Sequence, residues 1–377
     1  MAGDLRQASG RVTPIYLDYQ ATAPLAPEAA AAMRPWLEER FANPHSPHRL
    51  GREAAAAVEL AREQVLAALG DGAGQGRLHF TSGATEAANW ALKGSEARRI
   101  VTLATEHACV LDTARWLHAR GHDVDILPVG ADGLVDLGQI EAQVAPGTGL
   151  VAAMLVNNEI GVVQPVAEIA RIARAQGALV FCDAVQGLGR VPLPLEACDL
   201  VAVSAHKIHG PKGVGALWVR RGVALEPFMH GGGQEGGLRS GTLSPALCAG
   251  FGEAAALLGA DGPHVERLWS LAREAMPGWT LNGSAEHRYH GNLNLRRDGV
   301  DAARLVSEVR EVAFSAGSAC ASGSGRPSHV LAALGLADRQ ARASIRLGFG
   351  RYTREDDLLR ALALIDAAAG RQLSFAA

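Results

Sequence analysis

Lysine is scarce in this 377-residue chain: Lys93, Lys207 and Lys212 stand against thirty-three arginines. A genome that favours arginine codons accounts for the imbalance. Each retained lysine is nonetheless a candidate for chemistry that arginine cannot do, because a lysine amine can lose its proton and form a Schiff base. Lys207 lies in "SAHKIHGPKG", directly after the apolar run "DLVAVS" and just before a Gly-Pro break. A strand end would fix its position. Lys212 falls in a Gly-flanked turn expected to face solvent, and Lys93 closes a helical pattern. The second unusual residue is Cys320, in "FSAGSACASGSG". Free cysteines usually pack as small hydrophobes, and this run of Ser, Ala and Gly offers little to pack against. A Gly/Ser-rich chain keeps many conformations open, which suits a thiol that must reach one partner and then another. Cys109, Cys182, Cys198 and Cys248 fall within or beside apolar segments and read as structural thiols.

From about Leu78 to Val219, short apolar runs alternate with amphipathic segments. The runs are "RLHF", "RIVTLA", "DVDIL", "LVAAMLV", "ALVFC", "DLVAVS" and "VGALWV". Between them lie helical patterns such as "EAANWALKG", "ACVLDTARWLHARG" and "PVAEIARIARAQG", the last two closing on glycine. This order predicts βαβ units and a mainly parallel seven-stranded sheet with helices on both faces. Ala-rich helices precede the block, and the Gly-rich "HGGGQEGGLRSGT" comes after it. The expected division is a large α/β domain over residues 15–255, with 1–14 and 256–377 forming a smaller α+β domain that carries Cys320.

In open α/β sheets, ligands bind beyond the carboxyl ends of the strands, so the residues just past each apolar run outline a site. After "LHF" comes Thr81-Ser82-Gly83-Ala84-Thr85-Glu86, a small-residue turn opening a helix whose free N–H groups would suit a phosphate. After "LVAAMLV" come Asn157, Asn158 and Glu159; after "ALVFC", Asp183 and then Gln186; after "DLVAVS", Ala205-His206-Lys207. Singly, each has a plain structural reading as a helix cap or turn residue. Together they supply a phosphate cradle, a lone carboxylate, hydroxyl-binding groups and a lysine, the set that pyridoxal phosphate requires.

Composition narrows the setting. With 48% hydrophobic and 20% charged residues and a formal net charge of -3, the chain reads as a globular protein without a nucleic-acid or membrane surface. No apolar run approaches the roughly 18 residues of a membrane span. "MAGDLRQASGRVTP" lacks the apolar core of a secretory signal, and the scattered cysteines fit a reducing cytoplasm.

"IYLDYQATAP", "TSGATEAANWALKG", "TEHACVLDT", "VNNEIGVVQP", "SAHKIHGPKGVGALWVRRG", "RSGTL" and "SAGSAC" run in order from Ile15 to about Arg351. In these motifs the chain resembles the NifS/IscS-type cysteine desulfurases, of the class V branch of the fold-type I pyridoxal-phosphate superfamily. The resemblance implies that Lys207 holds the cofactor, Asp183 pairs with its pyridine nitrogen, and Gln186 bonds its ring hydroxyl. It places His107 on the ring as a stacking and proton-shuttling residue. Ala84, Thr85, Ser204 and His206 would hold the phosphate, with Thr242 reaching in from the second subunit of a homodimer. Asn158, counted also among the cofactor's contacts, and Arg346 would hold the carboxylate of L-cysteine. Cys320 would take the substrate's sulfur as a persulfide, release alanine, and deliver the sulfur to an acceptor protein for iron–sulfur cluster assembly or tRNA thiolation.

Departures from the motifs are small. Ala205 replaces a common glycine, His209 stands where an aromatic is usual and reads as a packing residue, and Gln20 replaces Ser or Asn at the substrate pocket. The stretch after Cys320 has the long form of the NifS/IscS group. The chain stops at "RQLSFAA", short of the tail with which housekeeping members engage their scaffold, so the acceptor is left open. The alternatives are a selenocysteine lyase, or a class V aminotransferase, which would not need Cys320. A hydrolase reading of "HGGG" fails for want of a G-x-S-x-G elbow. "HSPH" has too few ligands for a metal, and "GPKG" lacks the spacing of a P-loop.

Overall fold

The computed structural model describes residues 13–317 and 328–376. Cys320 lies outside them. A two-residue strand, β1 (Ile15–Tyr16), precedes seven strands that form one sheet: β2 (Gly76–Thr81), β3 (Arg99–Leu103), β4 (Asp123–Leu127), β5 (Leu150–Met154), β6 (Leu179–Asp183), β7 (Leu200–Ser204) and β8 (Gly215–Arg220). Their order is β2-β8-β7-β6-β5-β3-β4. Each of the seven apolar runs forms its strand. The sheet is mixed, because β8 runs antiparallel to both β2 and β7. The turn between Ser204 and Gly215 is too short to carry a crossover helix, and without one a strand must return antiparallel.

Strand periodicity of two explains the layers. Val180 and Cys182 of β6 join one buried cluster, with Val151, Ala153, Val201 and Val203. Phe181 joins the opposite one, with Ala152, Leu200 and Ala202. Helix Ala84–Gly94 covers that second face with Ala87, Ala88, Trp90 and Ala91. On the first face Phe251, of helix Pro245–Ala256, packs edge-on against Phe80 at 6.3 Å. Helix Arg49–Leu69 begins at His48, whose Nδ1 accepts the Gly51 N–H at 3.2 Å. A capping bond thus occupies the second histidine of the "HSPH" motif.

The C-terminal third adds β9 (Thr280–Leu281), β10 (Asn292–Arg296), β11 (Val312–Ala313), β12 (Ser315–Ala316) and β13 (Ser344–Gly348). Four of them form a sheet in the order β12-β13-β10-β9, while β11 pairs with β1 in parallel. Leu293, Leu295, Ile345 and Leu347 pack with Leu268, Leu358, Leu362 and Ile365 into a separate core that also takes Leu17. Helices Gly262–Ala275 and Glu355–Ala376 back this sheet.

One glycine sets how closely the site's walls approach. Gly215 opens β8 and lies in register with Thr81 on one side and Ser204 on the other. A Cβ there would stand 2.8 Å from Gly83 Cα and 2.7 Å from the Val203 carbonyl oxygen. Only a residue without a side chain lets the Gly83 turn seat on the sheet. Gly215→Ala is therefore expected to destabilise the fold by about 1–3 kcal/mol, the range for overpacking a tight contact. Urea denaturation checks this, and an unchanged midpoint would show that the contact relaxes freely.

Candidate active site

The strands β2, β3, β5, β6 and β7 end along one edge of the sheet, and the start of antiparallel β8 joins them there. A cleft of about 630 Å³ opens at that edge. Ala84, Thr85, His107, Asn158, Asp183, Gln186, Ser204, His206, Lys207 and Arg346 all line it. Every sequence-derived site residue is thus gathered in one place except two. Thr242 is exposed and does not line the cleft; Cys320 is outside the described residues.

Lys207 follows β7 in a single 3-10 turn, Ala205–Lys207. Its Nζ donates to the carbonyls of Gln20 at 2.5 Å and Ala21 at 2.8 Å. Asp183, the last residue of β6, is 5% exposed, and its Oδ1 accepts the Val185 N–H at 3.0 Å. Burial raises its pKa, against the favourable charges of His107 and Lys207 and the Val185 N–H. His107 caps helix Ala108–His118: its Nδ1 accepts the Cys109 N–H at 3.1 Å. The proton of the neutral ring therefore sits on Nε2. Burial lowers the His107 pKa, with Asp183 opposing the effect. His206 pairs with the Thr22 hydroxyl at 3.2 Å and is held at about 4 by burial and by the Lys207 and Lys212 ammonium groups.

Arg346, from the middle of β13, carries a cation from the second core into the cleft. Its side chain is 1% exposed. Nη2 pairs with Asp18 at 2.6 Å and Nη1 donates to the Asn158 carbonyl at 3.1 Å, while Nε has no partner among the described residues. Asn158 thus meets Arg346 through its backbone.

The residues present fit pyridoxal phosphate on three observations. Helix Ala84–Gly94 begins at Gly83 without a side-chain cap, so its first-turn N–H groups are offered to an anion beside Thr85, Ser204 and exposed Lys212. Asp183 is a buried carboxylate with a single backbone N–H bond, and such a group calls for a cation; a protonated pyridine nitrogen is one. Lys207 supplies the amine.

Four features were not read from the sequence. Lys212 was expected merely to face solvent, yet it also lines the cleft. Cys109, whose sequence setting reads as structural, forms part of the cleft wall, whereas burial pushes Cys248 up to about 12, as befits an inert thiol. Glu106 is fully buried and accepts the Met154 N–H at 2.7 Å, and burial raises its pKa well above the carboxylate range. Through that bond Glu106 ties the His107 turn to β5. Nothing in the motif spacing marks it, since the partner is a backbone N–H 48 residues away. The fourth is the anchoring of the Gly-rich segment, where Arg239 pairs with Glu86 at 2.7 Å. Glu235 accepts both terminal nitrogens of Arg62 at 2.9 Å and the Phe80 N–H at 3.1 Å, with His79 3.5 Å away. The segment is pinned to β2 and to helix Ala84–Gly94.

Burial alone would raise the Glu235 carboxyl, but His79 and Arg62 outweigh it and hold it at about 2. A depressed acid contributes stability above its ordinary pKa and loses it as pH falls. Glu235→Gln is expected to cost about 1–3 kcal/mol near neutrality, a gap that closes as pH drops from about 4.5 towards 2. Urea unfolding of both proteins across that window checks it; a gap that stays constant would contradict the assignment.

The "Aminotransferase class-V" family model matches residues 15–360. The cysteine desulfurase IscS of Rickettsia bellii (strain OSU 85-389) is 42% identical over 378 aligned residues, covering 95% of this chain and 92% of the relative. The mitochondrial cysteine desulfurase of Drosophila melanogaster is 46% identical, covering 93% and 79%. Among solved structures, a NifS-like protein superposes with a TM-score of 0.87 at 33% identity, over 96% of this chain and all of that one. SspA, solved in complex with cysteine, gives 0.81 at 34% identity over 91% of this chain and all of its own. By a match that runs almost end to end over this cleft, the chain belongs to the class V aminotransferase family, in its NifS/IscS cysteine desulfurase group.

Proposed function

We propose that this protein is a pyridoxal-phosphate-dependent cysteine desulfurase, converting L-cysteine to L-alanine with transfer of the sulfur to Cys320. The convergence of Lys207, Asp183, His107, Ser204 and Arg346 on one cleft carries this reading, and the names of its relatives support it. Lys207 would hold the cofactor covalently, Asp183 its ring nitrogen and Gln186 its ring hydroxyl. Ala84, Thr85, Ser204 and His206 would hold its phosphate, with Asn158 among its contacts. When bound, the cofactor supplies an electron sink that weakens the substrate's Cα–H and Cβ–S bonds.

The chain's own groups do the rest. Arg346 is a buried cation whose Nε has no partner among the described residues, and with Asn158 it would bind the substrate carboxylate. Lys207 Nζ is the base for the α-proton, and neutral His107, whose proton sits on Nε2, can donate a hydrogen bond from that nitrogen. Cys320, as thiolate, attacks the substrate sulfur; an S–S bond forms as the Cβ–S bond breaks, and the bonding pair stays with carbon, which is protonated to alanine. The persulfide would then pass to a sulfur-acceptor protein of iron–sulfur assembly or tRNA thiolation. Exposed Thr242 would complete the phosphate site of the second subunit in a cytoplasmic homodimer.

The test is to quantify alanine and sulfide from L-cysteine, with L-selenocysteine in parallel, using purified protein, pyridoxal phosphate and a thiol reductant. Equimolar alanine and sulfide are expected. Cys320→Ala should stay yellow and lose sulfide release by about a thousandfold or more, whereas Lys207→Ala should lose its covalently held chromophore. Undiminished sulfide from Cys320→Ala would refute the role of that thiol. Keto-acid formation without alanine would replace desulfuration with transamination.

A further inference from the structure

Arg190 decides which end of the Gln186 amide can face the cleft. Both residues follow β6 in a run of turns. Gln186 Oε1 accepts a short hydrogen bond from Arg190 Nη1, and Gln186 Nε2 donates to the Gln20 carbonyl at 2.9 Å. Arg190 Nη1 also reaches the Gln186 carbonyl at 3.3 Å, and its Nη2 donates to the Lys207 carbonyl at 2.6 Å. From its other side the guanidinium lies 5.2 Å from the centre of the Tyr289 ring. A guanidinium can only donate and a carbonyl can only accept. Reversing the Gln186 amide would therefore set donor against donor at Arg190 and acceptor against acceptor at Gln20. Gln186 is 3% exposed and lines the cleft, so one of its two Nε2 hydrogens is spent on Gln20 and the other remains for a ligand.

We propose that Arg190 is a positioning residue that locks Gln186 as a hydrogen-bond donor towards the oxygen of the cofactor ring. This rests on the pyridoxal-phosphate reading above. Asp183 offers a carboxylate to the ring nitrogen, and a donor-only Gln186 complements the ring oxygen as an anion. A neutral side chain that could turn either way would not set that charge. One guanidinium also joins Gln186 to the Lys207 backbone, so the ring-oxygen donor and the cofactor-bearing lysine keep a common register. Arg190 touches neither substrate nor cofactor in this scheme and acts through Gln186.

The experiment uses full-length holoenzyme and compares wild type with Arg190→Met, Arg190→Lys, Gln186→Glu and the Arg190→Met/Gln186→Glu pair. The readouts are the visible absorption maximum of the bound cofactor at fixed pH, cofactor retention on dialysis, and kcat and KM for L-cysteine. Arg190→Met should retain the cofactor, shift the maximum in the same direction as Gln186→Glu, and lower kcat by about 10- to 100-fold, the scale for losing an orienting partner. KM should stay within about twofold, since substrate binding is uniform across the change. Arg190→Lys keeps a donor-only cation and should restore the wild-type maximum. The double variant should match Gln186→Glu alone, because the two residues act as one unit. A wild-type maximum in Arg190→Met, or additive effects in the double variant, would overturn the proposal. Should Arg190→Met not fold, Arg190→Lys carries the test: a wild-type maximum supports the proposal and a shifted one overturns it. A wild-type protein that binds no cofactor would instead defeat the pyridoxal-phosphate reading, a failure visible before any variant is made.

Discussion

A carboxylate at the end of a buried strand must be met by positive charge or by hydrogen bonds, and Asp183 imposes that demand on the cleft. It cannot move away, because β6 is bonded to β5 on one side and β7 on the other. Its neighbours answer with one backbone N–H and the nearby fields of Lys207 and His107. The groups around it are arranged to avoid competing for that charge. Burial pushes the Glu106 carboxyl up, and the charge of Asp183 adds to that, against the Met154 N–H. His206 is held unprotonated by burial and by the two lysines beside it.

The second core matters to the chemistry through one residue. Arg346 sits at the centre of β13, in register with Asn294 on β10 and Ser315 on β12. Its guanidinium leaves that sheet to meet Asp18 and the Asn158 carbonyl. Burying a cation this deeply is tolerable only with such partners. The same contacts tie β13 to the loop after β5, so the Arg346 cation in the cleft is held by two separate pieces of hydrophobic packing. The Gly-rich segment is likewise anchored at the edge strand and at helix Ala84–Gly94, through Glu235 and Arg239. Those bonds leave Thr242 outside the cleft and exposed.

How much of this was legible in the sequence depends on what each residue interacts with. Short continuous apolar runs marked all seven sheet strands, because a strand covered on both faces needs apolar side chains on each, which is a local property of the chain. Lys207 and Asp183 were legible because each lies at or just past a strand end, and parallel topology brings such ends together; His107 was legible only through the resemblance of its motif. Glu106 and Arg190 were not: Glu106 bonds the N–H of Met154, and Arg190 bonds carbonyls and an amide whose positions only the fold sets. The reversed direction of β8 was also hidden, since an apolar run reads the same either way.

The sequence by itself determined the strand set, the order in which chemistry-bearing residues meet strand ends, and the scarcity that singled out Lys207. These are properties of periodicity and residue type, which the chain carries before it folds. Tertiary structure decided which charges are paired, which acids are buried, and which end of an amide faces the cleft. Burial, and hydrogen bonds between residues as far apart as Lys207 and Gln20 or Arg346 and Asp18, exist only once the strands have assembled.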